Sequence, residues 1–69
     1  MDLVTLKLFR DIADAESFTR GAKLNAISQS AASQQIQHLE EHLGLQLIER
    51  TKRPLGLTPA GEVYLRAFR

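Results

Sequence analysis

The feature that most limits the fold is an amphipathic helical pattern that follows a three-residue break. Its apolar positions recur at i, i+4, i+7 and i+11 and stop before a glycine: Ala32, Ile36, Leu39, Leu43, then Gly44. Ser28 is a typical N-cap, so we expect one helix over about residues 28–43. The preceding Asn25-Ala26-Ile27 is predicted to be a tight turn, which Asn25 serves through its side chain and its tolerance of positive φ.

Two further helices are predicted before this turn. Asp2 is the expected N-cap of the first, whose core positions are Leu3, Leu6, Phe9, Ile12 and Ala13. Ser17 is the expected N-cap of a short second helix that ends at Leu24. Its apolar face carries Phe18, Gly21 and Ala22.

After Gly44 the apolar residues alternate instead of following a helical period. Leu45 and Leu47 precede the basic segment ERTKRP, and Leu55 and Leu57 follow it, which predicts two short strands. A fourth helix begins with Thr58 as N-cap and Pro59 at the first helical position. The whole order is that of a mainly α, winged helix-turn-helix fold, with a three-helix core and a two-stranded β wing.

Composition excludes several other classes of protein. Sixty-nine residues make one small domain, and 43% hydrophobic residues are ordinary for a folded protein. The chain contains no cysteine, so disulfides and thiolate metal sites are excluded. Neither a membrane-spanning run nor a signal peptide is present, and we expect a cytoplasmic protein that needs no cofactor.

The net charge of +1 hides a segregated distribution. Between Ser17 and Leu39 there is no acid, while Arg20 and Lys23 are basic. The segment from 50 to 61 also lacks acids and carries three cations, Arg50, Lys52 and Arg53. Two basic regions of this kind favour an anionic partner such as nucleic acid, although acids falling elsewhere by chance would give the same pattern.

The exposed face predicted for the third helix is polar but uncharged. It carries Ser30, Ser33, Gln34, Gln37 and His38, while Glu40 and Glu41 are expected at the solvated far end. Glutamine can bond bidentately to adenine in the major groove, and serine can donate or accept. The face is therefore typical of a helix that reads base edges, and a merely solvated polar surface is the alternative.

Two other functions compete with DNA binding. A winged helix can bind a partner protein, and such an apolar interface would lack the steep salt dependence of phosphate contacts. The residues HLEEH, 38 to 42, match an inverted zinc-peptidase pattern, and His38 and His42 share a helix face. No further histidine or cysteine can supply a third ligand, so we expect no zinc site and no enzyme.

Apolar residues of the fourth helix form two stripes. Ala60, Val63, Tyr64 and Ala67 suit packing on the core, whereas Gly61, Leu65 and Phe68 form a second stripe expected to remain free for a partner. Burial of Leu65 and Phe68 would contribute about 1.5–3 kcal/mol for each side chain. Association costs roughly 4–15 kcal/mol, so a dimer made by this short helix alone would be weak.

The segments SFTRGAKLNAISQSAASQQIQHLEEHLGLQLIER and LTPAG resemble the N-terminal winged helix-turn-helix DNA-binding domain of LysR-type transcriptional regulators. The likeness covers nearly the whole chain. It implies sequence-specific binding of double-stranded DNA by a homodimer, at a pseudo-palindromic site. It also divides the chain into a DNA-binding domain, 1–57, and the start of a linker and dimerisation helix, 58–69. An effector domain would follow in a longer protein, of which this chain would be a fragment.

The same resemblance implies roles for individual residues. The recognition helix would begin with base or phosphate readers, and wing 50–56 would grip the backbone or the minor groove. Dimerisation is expected through Leu65 and Phe68. The DNA-binding residues predicted in this way, together with the polar face, are Arg20, Ser28, Gln29, Ser30, Ser33, Gln34, Gln37, His38, Arg50, Lys52 and Arg53. Gln34 stands where arginine is common in this family, so the bases it prefers need not be those of relatives.

Overall fold

In the computed structural model, residues 3–68 form four helices and one two-stranded antiparallel sheet. The elements are α1 (Leu3–Ala15), α2 (Phe18–Leu24), α3 (Gln29–Leu43), β1 (Ile48–Glu49), β2 (Gly56–Leu57) and α4 (Pro59–Phe68). Helices α1, α2 and α3 contact one another, and α4 packs beside the sheet. The winged helix-turn-helix order predicted from the sequence is confirmed. None of these four helices is both long and apolar enough to cross a membrane.

Capping residues fix where the helices begin. Ser17, Ser28 and Thr58 each accept a hydrogen bond on the side-chain oxygen from the backbone N–H three residues ahead, at 3.0 to 3.1 Å. Gly44 adopts a left-handed φ of 70° directly after α3, a conformation that favours glycine. These four predicted boundaries are confirmed, whereas the predicted cap Asp2 lies outside the described residues.

The core lies where α1, α2 and α3 meet the start of the hairpin. Ala32, Ile36 and Leu39 are buried as predicted, and Leu43 is half-buried. Phe9 also meets α4, because its ring contacts Tyr64 edge-on at 5.9 Å between centroids. The buried hydrophobic side chains are Leu8, Phe9, Ile12, Ala22, Ala32, Ile36, Leu39, Leu47, Ile48 and Leu55.

The predicted core face of α1 was wrong at its first position. Leu3 is 78% exposed, whereas Leu8, which the sequence pattern did not select, is fully buried. The buried face is centred on Leu8, Phe9 and Ile12, and Leu3 falls on the opposite side of a helix with 3.6 residues per turn. Leucines occur on both faces of α1, so their spacing alone did not decide which face turns inward.

The hairpin is shorter than the alternating leucines predicted. Ile48 pairs with Leu57 and Glu49 with Gly56, so each strand has two residues. Leu47 and Ile48 are both buried, which breaks the expected alternation. Leu47 lies just before β1, and its carbonyl accepts the Thr58 N–H at 3.0 Å in continuation of the register of the two strands.

The assignment of the two α4 stripes was partly wrong, although Ala60 and Tyr64 pack on the core as predicted. Gly61 is buried against the backbone of Leu47, where a Cβ would overlap the carbonyl. This close approach turns Leu65 onto the core together with Tyr64, and Phe68 is half-buried. Val63, predicted to face the core, is 63% exposed. The stripe that contains Gly61 and Leu65 is therefore not free for a partner.

The turn between α2 and α3 uses a different residue for its positive φ than predicted. Asn25 has a φ of −111°, whereas Ala26 has a φ of 57°. Asn25 instead serves the turn through its side chain, because its Nδ2 donates to the Gly21 carbonyl at 2.8 Å and to Asp11 Oδ2 at 2.9 Å. The left-handed conformation at Ala26 is unfavourable for a residue with a Cβ atom, whereas glycine adopts it without this free-energy cost.

Replacing Ala26 with glycine should therefore stabilise the domain. We expect Ala26→Gly to raise the free energy of unfolding by about 1 kcal/mol, measured by urea denaturation. Ala31→Gly, the same change inside α3, serves as the control and should lower it by about 1 kcal/mol. A loss of stability in Ala26→Gly comparable with the control would contradict a strained turn.

Candidate nucleic-acid interface

The polar face of α3 is directed to solvent. Ser28, Gln29, Ser30, Gln34, Gln37 and His38 are exposed, and Ser33 is half-buried. Within residues 3–68 the amides of Gln29, Gln34 and Gln37 have no hydrogen-bond partner, so their donors and acceptors are available to a ligand. The structure thus places on one surface the α3 residues that were predicted from the sequence to bind DNA.

The sequence predicted that Glu40 would lie at the solvated end of α3, but the structure shows that it is buried. It is 8% exposed, and its Oε2 accepts the backbone N–H groups of Leu47 at 2.8 Å and Ile48 at 3.1 Å. Glu41 is exposed as expected. The missed signal was spacing, because Glu40 follows Ile36 by four residues and so lies beside the buried stripe.

The Arg50 side chain makes contacts within the domain. Its Nη1 lies 3.1 Å from Glu40 Oε1, and its guanidinium carbon lies 5.2 Å from the centre of the Phe18 ring. Its side chain is 34% exposed. The sequence grouped Arg50 with the other wing cations, but these contacts distinguish it from them.

Lys52 and Arg53 lie at the exposed tip of the hairpin. The Arg53 guanidinium donates to the carbonyls of Arg50 at 2.9 Å and Lys52 at 3.2 Å. Within the described range, neither cation forms an ion pair with an acid. Their charges are therefore not neutralised by the protein, as a surface that meets phosphates requires.

Helix α2 adds exposed cations beside α3 and is held close to α1. Arg20 and Lys23 are both exposed. Gly21 permits the close approach, since an added Cβ would lie 2.9 Å from the Cα of Ile12. Ala22 of the same helix is buried in the core. The backbone of α2, from which these basic side chains project, is therefore held in place against the core that also contains the buried side of α3.

A polar cluster ties α1 to the end of α2. The Asp11 carboxylate accepts hydrogen bonds from Lys7 Nζ at 2.7 Å and from Asn25 Nδ2 at 2.9 Å, and Arg10 lies 3.5 Å away. Burial raises the pKa of Asp11. The hydrogen bonds and the positive charges of Lys7 and Arg10 lower it by a larger amount, so the net pKa lies below its usual value. Asp11 is ionised at neutral pH and holds Asn25 in the turn.

The two histidines of HLEEH line a groove beside α1. Thr5, Gln35, His38, Leu39 and His42 surround a volume of ≈160 Å³. No set of three histidine, cysteine, aspartate or glutamate side chains in residues 3–68 is placed to hold a metal ion. The residues of the groove therefore do not assemble the three-ligand set that the zinc-peptidase pattern requires.

Comparison with known proteins identifies the family. Residues 3–62 match the family described as bacterial regulatory helix-turn-helix protein, lysR family. The chain belongs to this family of DNA-binding regulators. It is 44% identical to the transcriptional regulator BenM of Acinetobacter baylyi over 93% of its length, and 47% identical to the transcriptional activator IlvY of Salmonella typhimurium over 99%. Both relatives are named as regulators of transcription.

Solved structures show the same fold. A crystal structure of a BenM_DBD/catB site 1 DNA complex has a TM-score of 0.93 and 42% identity, covering 97% of this chain and 72% of that one. A CbnR_DBD–DNA complex has a TM-score of 0.89 and 37% identity, covering 97% of this chain and 77% of that one. The present chain spans only 21% of the BenM sequence and 23% of IlvY, so it corresponds to one part of such regulators.

Proposed function

We propose that this chain is the sequence-specific, double-stranded-DNA-binding domain of a bacterial LysR-type transcriptional regulator. The observation that carries the proposal is the exposed face of α3, whose glutamine amides have no partner among the described residues. The DNA complexes of BenM_DBD and CbnR_DBD, both similar in fold and sequence, support it. We further propose that the protein acts in the cytoplasm, where its DNA would be found.

In this proposal the N-terminal half of α3 enters the major groove. Gln29, Ser33 and Gln34 meet base edges, since amides and hydroxyls can match the pattern of donors and acceptors there. Ser28, Ser30, Gln37 and His38 border them and contact bases or phosphates. Glu41 lies at the opposite end of the helix, away from the negative DNA backbone.

The exposed cations would hold the phosphates on either side of α3. Lys52 and Arg53 at the tip of wing 50–56 would meet the backbone or the minor groove, and Arg20 of α2 would meet the neighbouring backbone. Such contacts position a protein on DNA without selecting its sequence. Binding should therefore weaken steeply with salt, which distinguishes it from an apolar interface with a protein partner.

The assembly of the whole regulator follows from the same proposal. Residues 1–57 would form the DNA-binding domain, and residues 58–69 would begin a linker helix through which two copies associate. Two recognition helices would then meet successive major grooves of a pseudo-palindromic site. Because Leu65 packs on the core, the contact would involve the exposed side of α4 at Val63 together with what remains exposed of Phe68.

The first prediction concerns base readout. Gln34→Ala should cost about 1–3 kcal/mol on the preferred duplex and relax selectivity at one base pair, because it removes a bidentate contact. Gln35→Ala is the matched control, since Gln35 is half-buried beside α1, outside the exposed polar face of α3, and its loss should leave binding unchanged. Equal weakening on preferred and scrambled duplexes would show that Gln34 contacts phosphate instead.

The second prediction concerns the wing. Replacing Lys52 and Arg53 together with glutamine should weaken binding to every sequence and reduce the slope of log K against log salt by about 1.8, or 0.9 for each lost phosphate contact. Arg66→Gln, an exposed cation in the last turn of α4, is the control and should leave the slope unchanged. An unaltered slope in the double variant would place the wing outside the interface.

The third prediction concerns association. In sedimentation experiments without DNA, the chain should be monomeric or weakly dimeric, because the exposed apolar surface of α4 is too small to offset the roughly 4–15 kcal/mol cost of association. Val63→Glu should abolish any dimer, whereas Val4→Glu, the same change on α1, should not. A tight dimer that persists in Val63→Glu would place the interface on another surface.

A further inference from the structure

Glu40 connects α3 to the beginning of the wing. Its Oε2 accepts two backbone N–H groups, from Leu47 at 2.8 Å and from Ile48 at 3.1 Å, and its Oε1 faces the Arg50 guanidinium at 3.1 Å. Ile48 belongs to β1, and Leu47 directly precedes it. One carboxylate on the recognition helix thus holds both the backbone and a side chain of the first wing strand.

The Glu40 carboxylate does more than fill a buried position in the core. A buried charge is costly unless it is paired and hydrogen-bonded, whereas an apolar residue of similar size would avoid that cost but leave the N–H groups of Leu47 and Ile48 without this acceptor. Glu40 has both kinds of partner, since the two N–H groups and the guanidinium occupy its oxygens. These bonds also fix the angle between α3 and the segment that runs from Gly44 into the hairpin.

Arg50 extends the same connection to α2. The flat guanidinium lies over the ring of Phe18, the first residue of α2, while one of its nitrogens faces Glu40. Two restraints on one planar group leave it little rotational freedom. Lys52 and Arg53, in contrast, are exposed and form no ion pair with an acid in the part of the chain that the structure describes.

We propose that Glu40, Arg50 and Phe18 form a positioning unit that sets the wing relative to the recognition helix. Arg50 then acts on DNA binding through the placement of Lys52 and Arg53, and not as a phosphate contact itself. The inference rests on the proposed DNA-binding function and deepens it. It separates the three wing cations into one that holds the wing in place and two that meet the DNA.

Salt dependence separates these roles, because only a lost phosphate contact changes the slope of log K against log salt. We expect Arg50→Gln and Glu40→Gln each to reduce DNA affinity about tenfold, the size of one lost charge-assisted hydrogen bond. The slope should not change, because Lys52 and Arg53 still reach the phosphates but the loosened wing must be ordered on binding. Arg50→Lys should show the same loss despite keeping the charge, since lysine lacks the planar group. The variant Lys52→Gln should instead reduce the slope by about 0.9.

Two controls isolate the connection itself. Glu41→Gln removes the same charge from the same helix, but its side chain is exposed, so affinity should not fall. The double variant Glu40→Gln with Arg50→Gln should lose no more affinity than either single variant, because both interrupt one unit. Circular dichroism establishes that each variant is folded at the temperature used. If Glu40→Gln unfolds, Phe18→Leu serves in its place, because it keeps apolar packing but removes the ring under the Arg50 guanidinium and should therefore also reduce affinity.

Three results would overturn the inference. A slope reduced by about 0.9 in Arg50→Gln and restored in Arg50→Lys would make Arg50 a phosphate contact. Unchanged affinity in folded Glu40→Gln, or in Phe18→Leu where that is the variant used, would show that the wing needs no such support. Additive losses in the double variant would show that the residues act separately.

Hydrogen exchange distinguishes failure of this inference from failure of the proposed function. In the protein without DNA, the amides of Leu47 and Ile48 should exchange faster in both Glu40→Gln and Arg50→Gln than in Glu41→Gln. If the unaltered chain binds no duplex, the proposed function is wrong, yet this measurement still tests whether the unit holds the wing. Equal exchange in all three variants would overturn the positioning role.

Discussion

Burial of one side of α3 determines which of its residues remain in solvent. Ala32, Ile36 and Leu39 are inside the core, and full burial of side chains such as Ile36 and Leu39 contributes about 1.5–3 kcal/mol each. Rotation of α3 about its axis would expose these groups and bury glutamine amides without partners. The polar face is therefore held outward by the same contacts that stabilise this small domain.

The remaining elements are arranged around that helix. The Gly21 contact with Ile12 brings α2 against α1, and the Asn25 side chain closes the turn that leads into α3. At the other end, Glu40 fixes the start of the hairpin and Gly61 lets α4 sit on Leu47. The uncharged polar residues of α3 and the exposed cations on α2 and the wing consequently share a rigid framework, as the proposed reading of DNA in the major groove needs.

Local patterns predicted the helices but not all of their contacts. Ser17, Ser28 and Thr58 were identifiable because capping depends on residues close in sequence. Leu3, Val63 and Leu65 were placed wrongly because α1 and α4 carry apolar residues on more than one face, and only the neighbouring elements decide which face is buried. The burial of Glu40 could have been predicted from its spacing after Ile36, but its partners Leu47 and Ile48 could not, because they belong to the hairpin, which no helical period describes. The exposed α3 face was predictable, whereas the internal role of Arg50 was not.

Selection of bound duplexes from a random pool tests the central claim most directly. We expect the recovered sequences to converge on a shared motif, with two related half-sites separated by a whole number of helical turns. Such convergence requires base readout, since phosphate contacts alone do not distinguish sequences. A pool that is retained at low salt but remains random would contradict sequence-specific binding by α3.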